Sequence, residues 1–188
     1  MAYTMSSIFT TGGIRGGKTD GFQPRSFNMG ISREVFQKTK GFQFDRLAED
    51  IELSIRMSKA GFRTRLIPEA YVFHKRRTNF SQFFKQVSGF GRGRIRVGKV
   101  HSGAVKLVHW FPAVFLVGLI LLPVFTWVSF TLARVVLSVY LVYLAVIAID
   151  AARITRSFEV AILSLPAAVI QLSGYGMGFL REMLKSTR

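Results

Sequence analysis

A mixed α/β soluble part followed by transmembrane α-helices is the fold class that this sequence predicts. Three observations point to it. The net charge of +16 and the 49% hydrophobic content are segregated, with charge in the first hundred residues and apolar residues in most of the rest. Val108 to Phe130 carries no formally charged residue and is long enough to cross a hydrocarbon core of roughly 30 Å. Upstream of it, short alternating stretches are interleaved with segments of helical period. A chain of 188 residues has room for one ordinary domain, or for a smaller one with a membrane anchor. The absence of cysteine excludes disulfides, thiolate metal sites and cysteine nucleophiles, and fits a reducing compartment. Met1 to Thr11 lacks the basic stretch and apolar core of a secretory leader.

The opening Met1 to Gln23 is rich in Gly and Ser and reads as loop. Ser26 to Ile31 alternates as a short strand. Ser32 then reads as the N-cap of a helix, Arg33 to Thr39, closed by Lys40-Gly41. The next helix, Asp50 to Ala60, directs Ile51, Ile55 and Met57 to a core and stops at Gly61. Arg63 to Ile67 and Ala70 to His74 read as two strands separated by Pro68. Asn79 caps a helix over 79–88, where Phe80, Phe83, Phe84 and Val87 form one aromatic face. That face packs either into the protein's own core or into the acyl boundary of a membrane surface, and its place before the anchor favours the membrane.

The membrane region covers 105–188, with spans at about 108–130 and 131–149 joined as a hairpin. Trp110 and Trp127 sit near opposite ends of the first span, where amphipathic rings prefer the interfaces. Pro112 and Pro123 are possible kinks that a membrane helix tolerates. The third stretch, 158–180, is a span or a re-entrant, interfacial segment. Lys75 to Lys106 holds nine Lys or Arg and no acid, which predicts a cytoplasmic soluble part and contact with phosphate-bearing surfaces. Arg153 and Arg156 return to that side, and Arg181, Lys185 and Arg188 also prefer it.

Several groups carry candidate chemistry. Gly12 to Thr19 satisfies G-x-x-x-x-G-K-[ST], but no apolar strand precedes it and Asp20 to Pro24 opens no helix, so it reads as a flexible glycine loop. Glu49, Asp50 and Glu52 place three of only ten acids in four positions. Such a cluster complements a helix dipole, and a carboxylate there is equally well placed to take a proton from a substrate hydroxyl. His74 is either a surface histidine at a strand end or a ligand to metal or diphosphate. His101 and His109 have no partner spacing and read as interfacial. Gln86, Arg92, Arg94 and Arg96 suit a diphosphate or anionic lipid. Nucleic-acid binding is the poorer use of the basic block, because the adjacent membrane segment already accounts for its aromatics and cations.

In order and spacing, these residues resemble the later half of a family 2 glycosyltransferase catalytic domain. Phe27 to Phe36 is similar to the family's acceptor-side strand followed by "rrevf". Gly41-Phe42, Ala48-Glu49-Asp50-Ile51-Glu52-Leu53 through Arg56, and Ala60-Gly61-Phe62 resemble "GgF … EDiel..R … aGf". Ile67 to Arg77 resembles "p.a.v.H..r", Phe84-Lys85-Gln86 with Gly89, Gly91 and Arg92 resembles "f.kQ…G.gr", and Gly174 to Leu180 resembles a C-terminal "YglGfl".

The resemblance implies a partial GT-A (nucleotide-diphospho-sugar transferase) domain over 1–104, with Asp50 as general base and Glu49 orienting or tuning it. It implies His74 near metal and diphosphate, and Gln86 and Arg92 near the donor diphosphate or acceptor. It further implies a nucleotide-diphosphate sugar donor, a lipid-linked or envelope glycan acceptor, and an inner or plasma membrane of bacterial type. The family's Mg²⁺ or Mn²⁺ is held by an Asp-x-Asp motif in a nucleotide-binding half. No Asp-x-Asp occurs here, and about a hundred soluble residues leave no room for that half. The expectation is therefore a fragment that does not transfer sugar by itself. The alternative is a non-catalytic anchor or interaction subunit held to anionic lipid.

Overall fold

A computed structural model describes residues 1–11, 22–73 and 77–185. The elements are α1 (Ile8–Thr11), α2 (Arg33–Thr39), α3 (Glu49–Lys59), α4 (Phe80–Val100), a 3-10 turn (Leu107–Trp110), α5 (Phe111–Val128), α6 (Phe130–Thr155) and α7 (Phe158–Met183).

Helix α2 forms where its caps predict. The Ser32 hydroxyl accepts from the Val35 N–H at 3.2 Å, and Lys40, left-handed at φ 60°, donates its N–H to Phe36 O at 2.8 Å. Helix α3 starts one residue earlier than the spacing predicts, and its buried face is turned. Glu52, Leu53, Ser54 and Met57 are buried, while Ile51 and Ile55 are half-buried. A charged Glu52 takes an inward position because its partners, described below, are waiting there.

The α/β expectation is corrected. No strand forms among the described residues, and Arg25 and Asn28 make only an isolated antiparallel bridge. The segments 26–31, 63–67 and 70–73 run without a ladder, linked instead by side chains. Asn28 Nδ2 donates to Ala70 O at 2.9 Å, and the Thr64 hydroxyl donates to Phe22 O. Alternation marks a chain suited to a sheet, but a strand exists only beside another backbone that takes its hydrogen bonds. Among the described residues no ladder forms alongside, and Phe27, Ile67, Tyr71, Val72 and Phe73 are exposed.

The helix expected over 79–88 extends to Val100, capped by Asn79, whose side chain accepts from Gln82 N–H at 2.8 Å. Its predicted aromatic face is divided: Phe83 and Val87 are buried in a cluster with Met5, against which Met1 and Ile170 pack, while Phe84 is half-buried and Phe80 exposed. Beyond them the helix reads Gly89-Phe90-Gly91-Arg92-Gly93, and these glycines serve two neighbours. A Cβ at Gly91 would collide with the Tyr175 carbonyl and lie 2.7 Å from Phe179 N, so Gly91 sets the approach of α4 to α7. A Cβ at Gly93 would lie 2.8 Å from the Ala48 Cβ, so Gly93 makes room for the residue before α3.

Helices α5, α6 and α7 are each long and apolar enough to cross a membrane, over Leu107–Val128, Phe130–Thr155 and Phe158–Met183. The second extends past the predicted end at 149. The third is one unbroken helix of 26 residues, about 39 Å at 1.5 Å per residue, so no re-entrant turn interrupts it. Pro112 lies in the first turn of α5, where its missing N–H costs no bond, and α5 continues through Pro123. Ser129 ends α5 and caps α6, giving the tight hairpin. Phe115 and Tyr140 stack edge-on at 4.9 Å across it, and the Tyr140 hydroxyl donates to Phe115 O at 2.6 Å.

Helix α7 is the hub, packed against α4, α5 and α6. Within its most apolar stretch 44% is buried, against 11% for α6, whose side chains face outward. A Cβ at Gly178 would strike the Ser88 carbonyl, and one at Gly176 the Pro112 carbonyl. At the far end Lys99 Nζ donates to Glu182 O at 3.2 Å and Lys185 O at 2.8 Å, capping α7. The basic end of α4 and the C-terminal end of α7 therefore lie side by side.

Candidate functional site

Three acids occupy the first turn of α3, and the fold gives them different surroundings. Ala48 precedes the helix in a left-handed conformation, φ 62°, with no capping side chain. The exposed helix N-terminus is instead complemented by the carboxylates of Glu49, Asp50 and Glu52. Asp50 Oδ1 accepts from its neighbour Ile51 N–H at 2.8 Å. Among the described residues its Oδ2 has one long contact, 3.4 Å to Arg25 Nη1, and the Asp50 side chain is 14% exposed. Glu49 Oε1 accepts from the Ser26 hydroxyl at 3.1 Å, so the segment 25–28 holds both carboxylates from outside.

Glu52 is the opposite case. Its residue is 1% exposed. Oε1 accepts from Arg56 Nε at 2.7 Å and meets His101 Nε2 at 3.0 Å, and Oε2 accepts from Arg56 Nη2 at 2.7 Å. Burial by itself raises the Glu52 pKa, but the hydrogen bonds and charges of Arg56 and His101 outweigh it and hold the carboxyl below its ordinary value. Arg56 also donates to the carbonyls of Thr39 and Gly41, the latter at 2.7 Å, which fastens the end of α2 to α3.

The expected site residues are only partly brought together. Asp50 and Glu49 share the helix start. Gln86 and Arg92 both lie on α4, but six residues at 100° each put them about 120° apart around the helix, on different faces. Arg92 Nε is buried with no hydrogen-bond partner among the described residues. His74 and the Gly12–Thr19 loop lie outside the described residues. His101 and His109 are not interfacial: both are buried, His101 on Glu52, and His109 accepting from Lys106 N–H at 2.8 Å. Arg25, Ser26, Lys59 and His101 were not singled out as site residues. Only Arg56 had a local signal, its i,i+4 spacing from Glu52.

Among the described residues no group of three or more His, Cys, Asp or Glu suits a metal ion. The Mg²⁺ or Mn²⁺ of the resemblance therefore has no fitting site in these residues.

A family model described as Glycosyl transferase family group 2 matches residues 27–149, from the segment beside Glu49 through most of α6. No curated protein and no solved structure matches the chain.

Proposed function

The chain belongs to glycosyl transferase family group 2, and we propose that it forms the acceptor and base side of a membrane-bound inverting transferase. The donor is a nucleotide-diphosphate sugar, and the acceptor a lipid-linked or envelope glycan. Asp50 takes the proton of the acceptor hydroxyl, that oxygen attacks the anomeric carbon, and the nucleoside diphosphate leaves with the bonding pair. One observation carries this reading: among the described residues Asp50 Oδ2 has only a 3.4 Å contact to Arg25 and is partly open, whereas both oxygens of the buried Glu52 are held at 2.7–3.0 Å by Arg56 and His101.

Glu49 orients Asp50 through the Ser26 segment. Of the residues that the resemblance puts near the diphosphate, Arg92 is the candidate whose positive charge would offset that of the leaving group, its buried Nε having no hydrogen-bond partner among the described residues. The Asp-x-Asp carboxylates come from outside these 188 residues. The exposed strip of Phe27, Ile67, Tyr71, Val72 and Phe73 supports such a complement packing there. The cations of α4, Lys85, Arg92, Arg94, Arg96 and Lys99, support a cytoplasmic active side.

The test is incorporation of labelled sugar from UDP-, GDP- and dTDP-sugars by membranes of cells making the protein from its native locus. Asp50→Asn is expected to lower transfer roughly 10²- to 10⁴-fold, with the protein still inserted and nucleotide KM unchanged. Transfer at the wild-type rate would remove Asp50 as the base. Salt-sensitive binding to anionic vesicles with no sugar transfer would favour the anchor reading instead.

A further inference from the structure

The Glu52 cluster joins two parts of the chain that the reaction itself does not connect. His101 is the C-cap of α4, its N–H donating to Val97 O at 2.8 Å, and it opens the loop that leads into the membrane hairpin. Its Nδ1 is 3.3 Å from Lys59 Nζ and its Nε2 is 3.0 Å from Glu52 Oε1. An ammonium only donates, so Nδ1 accepts from Lys59 and the Nε2 hydrogen goes to Glu52. Lys59, His101, Glu52 and Arg56 thus form one connected chain of partners, with Lys59 and His101 bridging α3 to the end of α4. A second contact lies about one helical turn away along α3 and about two along α4, where Gly93 of α4 leaves room for Ala48, immediately before Glu49.

We propose that His101 and Gly93 are positioning residues that fix the Glu49–Asp50 end of α3 relative to the membrane bundle. Helix α4 is itself seated on α7 through Gly91 and Gly178, so the position of the bundle is passed to the carboxylates through two short contacts. Removing the His101 imidazole leaves Glu52 with Arg56 and keeps it paired, so α3 loses its tether before it loses its charge balance. The clamp stands on geometry alone. Its effect on catalysis rests on the function proposed above.

The lack of cysteine makes the clamp directly measurable, because introduced thiols have no background. Spin labels are placed through Ser58→Cys on α3 and Ile154→Cys at the end of α6, both exposed positions, in the full chain in lipid nanodiscs. A single narrow distance distribution is expected. His101→Leu should broaden it, and His101→Gln, whose amide can both donate to Glu52 and accept from Lys59, should restore it. Gly93→Ala, which leaves the Glu52 cluster intact, should shift the mean distance, and it keeps the test open if His101→Leu does not fold. Distributions identical to wild type in both His101→Leu and Gly93→Ala would overturn the clamp.

In native-locus membranes, His101→Leu should lower kcat roughly ten- to a hundredfold with donor KM unchanged, and His101→Gln should recover most of it. A broadened distribution with unchanged kcat would keep the clamp and overturn its role in positioning the base. Absence of any transfer in wild type would count against the proposed function and leave the spectroscopic result standing.

Discussion

Asp50 and Glu52 are two positions apart on the same helical turn, yet they belong to different regions of the molecule. Asp50 faces the loop segment 25–28, partly open, with a single long ionic contact among the described residues. Glu52 faces the interior, with both oxygens occupied and two basic partners. The positive end of α3 favours both charges alike, so the helix dipole cannot distinguish them. The distinction comes from burial and close basic partners. A buried carboxylate with both oxygens held by Arg56 and His101 holds structure together, whereas a partly open one with a single 3.4 Å contact among the described residues can receive a proton from a substrate.

The largest way to break this contrast is Glu52→Ala. It leaves Arg56 and His101 facing a buried gap, and loss of one partner of a buried ion pair costs about 3–5 kcal/mol. Denaturant unfolding in detergent should show that loss, and a variant as stable as wild type would mean the cluster is decorative. Acid should act on the same group with a defined sign. Because the folded Glu52 pKa lies below its ordinary 4.5, its contribution is complete above pH 4.5 and is lost as pH falls through the folded value. The acid limb of the stability profile should therefore flatten in Glu52→Gln. The smallest effect is expected at Arg25→Ala. That pair is long and partly exposed, so stability should change by less than about 1 kcal/mol in the same unfolding assay.

Local signals were legible where they are satisfied locally. Ser32 and Lys40-Gly41 marked α2 because capping needs only neighbouring backbone. The acidic run located the start of α3 to within one residue. The alternation at 26–31, 63–67 and 70–74 reports a preference that a neighbouring backbone must complete, and no strand forms among the described residues. Helix α4 continues past the expected end at 88 through Gly89, Gly91 and Gly93, residues of low helix propensity. They are tolerated because Leu47, Ala48 and the backbone of Tyr175 occupy the space that side chains would take. Glu159, Gln171 and three late glycines weaken the third stretch as a span, while its Gly and Ala content belongs to a helix enclosed by protein on several sides. His101 had no signal at all, since its partner lies 49 positions away in sequence.

The central claim is that α3 carries one carboxylate for chemistry and one for architecture. It is tested most directly by measuring thermal unfolding and sugar transfer together for Asp50→Asn and Glu52→Gln in native-locus membranes. The account predicts that Asp50→Asn keeps the wild-type melting temperature and loses roughly 10²-fold or more of its transfer rate. It predicts that Glu52→Gln melts lower and loses transfer only in proportion to the protein that remains folded. An Asp50→Asn protein that melts early, or a fully folded Glu52→Gln protein without transfer, would contradict it.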